Sequence, residues 1–183
     1  MTEETLFHDA LAKPPAEDPG AAVLHWARMF PNPGLSWEDL PFLRQHWDGP
    51  IVLKGIVSAQ DAELAAEHGM DGVIVSNHGG RQVDGAVAAL DALPGIAEAV
   101  GDQLTVLFDS GVRTGADVVK ALALGAQAVL IGRPVLYGLA LGGQQGVEHV
   151  LRSLLADLDL TLALSGYTSH RQLTRQSLAE AWR

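Results

Sequence analysis

The sequence predicts an α/β fold in which four parallel βα units follow one another, half the complement of a closed eight-unit barrel. Three observations carry that expectation. Short apolar, β-branched runs recur at Ile51–Leu53, Val73–Val75, Leu104–Phe108 and Ala128–Ile131, and none alternates with polar residues, the pattern of parallel strands buried on both faces. Their starts lie 22, 31 and 24 residues apart, close to the roughly 31 residues per unit of a 250-residue barrel. Helical patterns with readable ends fill the gaps between them.

Taken in order, residues 1–49 read as a connection leading into the barrel and residues 50–183 as the βα region. Pro14-Pro15, Pro19-Gly20, Pro31 and Pro33-Gly34 interrupt any period over residues 1–35, leaving room for one short helix around Ala21–Met29. Ser36-Trp37-Glu38-Asp39 resembles a capping box, with Leu40 and Leu43 giving the next turns an apolar side. Between the first two strands Ser58 is an N-cap, Asp61 sits in the first turn and Gly69 is the stop. Leu90, Leu93, Ala97 and Val100 are helically spaced, with Pro94 as a bend or restart. Thr114 caps the next helix with Asp117, and Gly125 ends it. A last long helix carries Val147, Val150, Leu151, Leu154, Leu155, Leu158 and Leu162 on one broad face, expected to pack against the barrel.

Composition narrows the function. The 183 residues are 48% hydrophobic but only 5% aromatic, which suits tightly packed α/β structure. Without Cys there is neither a disulfide framework nor a thiolate metal site, and no HExxH or similar spacing assigns a metal. The acidic start Met1-Thr2-Glu3-Glu4-Thr5-Leu6-Phe7 lacks the pattern of a secretory signal, and no apolar run approaches the roughly 20 residues of a membrane helix, so the expectation is a cytoplasmic protein off the membrane. A net charge of −10 disfavours nucleic acid. An anionic ligand must then be held by a few local cations, which directs attention to Lys54, Arg81, Arg113 and Arg133.

These cations fall at the C-terminal ends of four successive strands, the face that carries the active site in a βα barrel. Lys54 follows the first run, Ser76-Asn77-His78-Gly79-Gly80-Arg81 the second, Asp109-Ser110-Gly111-Val112-Arg113 the third and Gly132-Arg133-Pro134 the fourth. Any one of them alone is a surface Lys or a turn glycine; four at one end make a site. Asp109–Arg113 and Gly132-Arg133 read as a phosphate clamp, because glycines let backbone N–H groups approach an anion, helix N-termini favour negative charge and Arg offers a bidentate fork.

The sharper signal is a resemblance. SNHGGRQ (Ser76–Gln82), Lys54-Gly55, DSGVRTGADVVKALALGA (Asp109–Ala126) and IGRP (Ile131–Pro134) resemble, in order and spacing, the FMN-dependent 2-hydroxy-acid oxidases and dehydrogenases, over about Leu35 to Tyr167. Ser110, HGGRQ and GVEHVLRSLLADLDL look most like the lactate 2-monooxygenase branch. The resemblance implies the C-terminal half, strands five to eight, of a TIM (β/α)8 barrel, with FMN as cofactor and a lactate- or glycolate-like L-2-hydroxy acid as small-molecule substrate. It implies His78 as the base that takes a proton from the 2-hydroxyl or the α-carbon, for which an imidazole's pKa of about 6.5 is suited. It implies Arg81 on the substrate carboxylate, Lys54 beside the flavin N1 and C2 carbonyl, and Ser76 on the isoalloxazine. Asp109, Ser110, Gly111, Val112 and Arg113 with Gly132 and Arg133 would hold the ribityl chain and phosphate.

What the family has upstream is not recognisable here: a first half-barrel supplying tyrosines, an acid that orients the base and a second arginine. Association with such a half, or with further copies of the chain, is therefore expected. A truncated, non-catalytic flavin- or phosphate-binding fragment is the alternative reading. An IMP dehydrogenase relative is disfavoured, because that group relies on a catalytic Cys and the chain has none.

Overall fold

The structure, a computed structural model, describes residue 14, residues 16–29 and residues 32–179. The acidic start, Pro15 and Pro31 lie outside the described residues. The chain divides into two compact units, Met1–Arg44 and Gln45–Arg183. In the first, helix α1 (Pro19–Met29) opens where Asp18 Oδ1 accepts from the Ala21 N–H at 2.9 Å, with Pro at the first helical position where its missing N–H costs nothing. Asp39 reaches back to the Ser36 N–H at 2.7 Å in a 3-10 turn (Trp37–Asp39), and helix α2 (Leu40–His46) continues from it.

The second unit runs β1 (Val52–Ile56), α3 (Ala59–Glu67), β2 (Gly72–Val75), α4 (Ala89–Val100), β3 (Thr105–Phe108), α5 (Gly115–Ala123), β4 (Ala128–Val129) and α6 (Arg133–Leu164). The four strands are parallel and lie in sequence order, Val73 beside Val106 and Phe108 beside Val129. The helix ends follow the sequence. Ser58 Oγ accepts from the Asp61 N–H at the start of α3, and Gly69 takes a φ of 71° just beyond its end. Thr114 Oγ1 accepts from Asp117 at 3.2 Å while Asp117 Oδ2 accepts from Thr114 and Arg113 at 3.0 Å, a reciprocal cap on α5. Pro94 lies inside α4 without ending it.

Two expectations need correction. Lys54 does not follow its strand but sits inside β1, which extends to Ile56 through an irregular step between Lys54 and Ile56 where Gly55 adopts a φ of 104°. The strands are also not buried on both faces. Val73, Val75, Val106 and Phe108 are buried on the side where α3, α4 and α5 pack, together with Ala65, Leu93, Ile96 and Val119. On the other side Val52, Lys54, Thr105 and Ala128 are exposed, and Ile74 and Leu107 are half-buried. Among the described residues only one layer of helices covers this sheet, so one face keeps access to water.

Helix α6 is two helices joined at Gly142 and Gly143, the latter at φ 55°, ψ −139°, a region open essentially to glycine. The halves approach closely: a Cβ on Gly138 would stand 2.6 Å from the Gly146 carbonyl oxygen. The apolar stripe divides its work. Leu158 and Leu162 pack with Val119, Ala123 and Leu173, whereas Leu151 and Leu155 remain exposed. The Gly115 N–H at the start of α5 donates to Asp157 of α6, locking the two helices together. No helix among the described residues is long and apolar enough to cross a membrane.

Candidate active site

The parallel strands deliver their C-terminal ends to one rim, where a cavity of about 300 Å³ is lined by Lys54, His78, Arg81, Asp109–Arg113, Gly132 and Arg133, with Gly79, Leu130, Ile131 and Leu136. Ten of the eleven residues singled out from the sequence line it. The eleventh, Ser76, is buried just beneath, its Oγ accepting from Lys54 Nζ at 2.9 Å.

Asp109 is the hub of the buried end. Its Oδ2 lies 2.8 Å from Lys54 Nζ, and its Oδ1 accepts from the Ser110 hydroxyl at 2.7 Å. Partial burial raises the Asp109 pKa, but hydrogen bonds from Lys54, Ser76 and Ser110 and the Lys54 charge outweigh it and hold the carboxyl below the usual range. The ion pair is thus intact across neutral pH, and Lys54 is fixed at the open face of the sheet.

The His78 loop is held by its backbone. Asn77 and Gly79 donate their N–H groups to Ser110 Oγ at 3.3 and 3.0 Å, and the His78 N–H between them donates to Ser76 Oγ at 3.1 Å. His78 itself adopts a φ of 56°, uncommon for a residue with a side chain. Its ring stands over Gly55, where a Cβ would come within 3.1 Å of His78 Cε1. Gly55 is therefore the space in which the imidazole sits. Asn77 Oδ1 accepts from Gly80 and its Nδ2 donates to Val87 O, closing the turn.

Three guanidinium groups reach the same cavity. Arg81 Nε donates to His78 O at 3.0 Å, Arg113 Nη1 to Val112 O at 2.7 Å and Arg133 Nη2 to Gly79 O at 2.9 Å. Among the described residues none of the three has a carboxylate partner, whereas Lys54 does. Arg113 stands just before α5 and Arg133 opens α6, so both lie at helix N-termini, where the backbone adds positive potential. In an acidic chain these three are poised for an anion.

Sequence reasoning missed Gly55, Gly79 and Asn77. Gly79 has a φ of 68°, and a Cβ there would stand 2.8 Å from Arg133 Nη2. The only sequence signal for these residues was their place inside SNHGGRQ and the Lys-Gly pair; the close contacts come from other strands and have no local signature.

A sequence model described as FMN-dependent dehydrogenase matches residues 1–180. The chain is 67% identical over 141 residues to an FMN-dependent alpha-hydroxy acid dehydrogenase of Schizosaccharomyces pombe, covering 77% of this chain and 35% of that protein. It is 56% identical to an L-lactate oxidase of a Nostoc species, covering 74% and 37%. Among solved structures, a mandelate oxidase with (S)-4-hydroxymandelic acid superposes with a TM-score of 0.74 at 46% identity, covering 77% of this chain and 40% of that one. A soluble mutant of the (S)-mandelate dehydrogenase from Pseudomonas putida gives 0.76 at 48% identity, covering 79% and 41%. The chain thus spans somewhat over a third of the length of the relatives it matches, and its four βα units form part of an α/β barrel.

Proposed function

This chain belongs to the FMN-dependent dehydrogenase family, and on that premise we propose that its strand-end cavity is the base-bearing, flavin-holding half of an enzyme that oxidises an L-2-hydroxy acid to the 2-oxo acid. The observation that carries the reading is the set of three guanidinium groups without carboxylate partners among the described residues, on one cavity with His78 and Lys54. A phosphate-bearing cofactor and a carboxylate substrate bring two anions, and the cations are distributed to meet both.

The residues fit FMN. Arg113 and Arg133 at two helix N-termini, with Gly111 and Gly132 beside them, form the phosphate end. Lys54, pinned by Asp109 and Ser76, presents its ammonium at the opposite end, the place for a charge against an electron-accepting ring. FMN supplies the two-electron acceptor when bound. The chain's own residues do the remaining work. Arg81 grips the substrate carboxylate in a bidentate fork and so fixes the α-carbon. His78 takes the proton from the 2-hydroxyl or the α-carbon; its ring stands over Gly55, within the same cavity. The exposed sheet face and the strand edges at β1 and β4 support assembly with a further half-barrel or with other copies of the chain.

The test separates binding from chemistry. In the complete FMN-loaded protein, anaerobic mixing with lactate, glycolate or mandelate should bleach the flavin. His78→Ala should slow that bleaching by about 100- to 10,000-fold with the FMN content unchanged, and Arg113→Ala should lose FMN first. Equal loss of bound flavin in both variants, or no bleaching of the wild type by any of the three acids, would sink the reading.

A further inference from the structure

The Ser110 backbone adopts a φ of 88°, where a glycine would be free and a side chain is strained. Its neighbour Gly111, at φ 84°, does have that freedom. A serine kept in such a conformation must return something for the strain, and its hydroxyl does. A hydroxyl has one proton to donate and two lone pairs to accept with, and all three are used. Ser110 Oγ donates to Asp109 Oδ1 at 2.7 Å and accepts from the N–H groups of Asn77 and Gly79 at 3.3 and 3.0 Å. The two amides flank His78.

We propose that Ser110 is a positioning residue for the base: its hydroxyl bolts the backbone on either side of His78 to the Asp109 carboxylate, and so sets the left-handed turn that holds the imidazole over Gly55. This rests on the functional reading above and gives Ser110 a different task from holding the cofactor. Two hydroxyls share the work. The Ser76 Oγ takes the middle amide, that of His78, and also the Lys54 ammonium, so the base loop and the Lys54–Asp109 pair form one hydrogen-bonded unit. Of these links only those through Ser110 cross from the β2 loop to the β3 loop by way of a hydroxyl in a strained residue. Arg133, on the β4 side, grips the same loop at Gly79 O and Ser76 Oγ holds the His78 amide, so without Ser110 the loop keeps these contacts and loses the two that fix the amides on either side of the base.

Ser110→Gly tests this, because glycine accepts the backbone conformation while the hydroxyl is lost together with its Cβ. Ser110→Ala, which keeps the strain, is its companion. In the full chain, amide exchange at Asn77 and Gly79 should accelerate on the order of tenfold in both variants, with exchange in β2 and β3 unchanged. In the FMN-loaded protein, kcat should fall on the order of tenfold, while KM and FMN content stay within about twofold. Unchanged exchange at both amides in Ser110→Gly overturns the proposal, as does a loss of FMN in place of the fall in kcat. The exchange measurement needs neither flavin nor substrate. Faster exchange in a protein that oxidises no 2-hydroxy acid would leave the bolt standing and remove the functional reading.

Discussion

At the scale of single residues the site is held by one charged contact and a few backbone hydrogen bonds, and the charged contact makes a pH prediction. Asp109 has its folded pKa depressed, so its contribution to stability is fully present above its unfolded value of about 4 and is lost as pH falls through the folded value. Asp117, capping α5, is depressed in the same sense: burial raises it, but the amides of Arg113 and Thr114, the Thr114 hydroxyl and Lys120 outweigh that. The protein should therefore lose stability from about pH 4 downward. Asp109→Asn should be less stable at neutral pH by about 1 kcal/mol, a figure kept small because Lys54 is partly in solvent. Its stability curve below about pH 4 should be flatter than wild type, retaining only the part due to Asp117 and other carboxylates. Urea unfolding at a series of pH values measures both effects. A wild-type curve and an Asp109→Asn curve that run parallel through the acid range would contradict the assignment.

At the scale of elements, what was legible in the sequence was whatever is written locally. Ser58 and Thr114 announce their helices because a cap needs only its own first turn, and both are found as caps. The four strand ends announce the cavity because parallel strands must all point one way. Lys54 was displaced by one step, since nothing local tells that Gly55 lets β1 bulge and continue. The last helix was read from Val147 onward, beyond the break at Gly142-Gly143, and the helical stretch that precedes the break from Arg133 was not read. Close packing between distant elements was invisible. Gly115 is the clearest case: a Cβ there would run into the α6 backbone at Asp157 and Leu158, so the glycine is what lets α5 and α6 touch. Gly115→Ala should push the helices apart, weaken the Gly115–Asp157 hydrogen bond and destabilise the protein by roughly 1–3 kcal/mol. Thermal or urea unfolding reads this out. A neutral result would mean that the α5–α6 contact yields freely.

At the scale of the whole molecule, a parallel sheet normally has both faces covered, and among the described residues this one has helices on a single side. Val52, Thr105 and Ala128 are open to water on the other side, Ile74 and Leu107 partly so, and β1 and β4 each pair on one edge only among the described residues. An eight-unit barrel resolves both problems at once by closing the sheet on itself, so that the inner face is packed with side chains and no edge is left. The four strands of the described residues give the 183-residue chain, produced by itself, no such closure, and its exposed apolar rows and strand edges favour pairing with another chain. We expect it to run above monomer mass, to hold FMN weakly and to show no measurable 2-hydroxy-acid oxidation. Lys54 and the His78 loop would face solvent, and the roughly 7–11 kcal/mol that positioning can contribute to catalysis would be largely forfeited. Light scattering on the purified chain, followed by anaerobic titration with lactate and glycolate in the presence of added FMN, measures each part. Co-expression with a chain supplying four further βα units should restore both monodispersity and flavin retention. A monodisperse monomer that binds FMN tightly and bleaches it with either acid would show that one-sided coverage is enough, and that the exposed face of this sheet needs no partner.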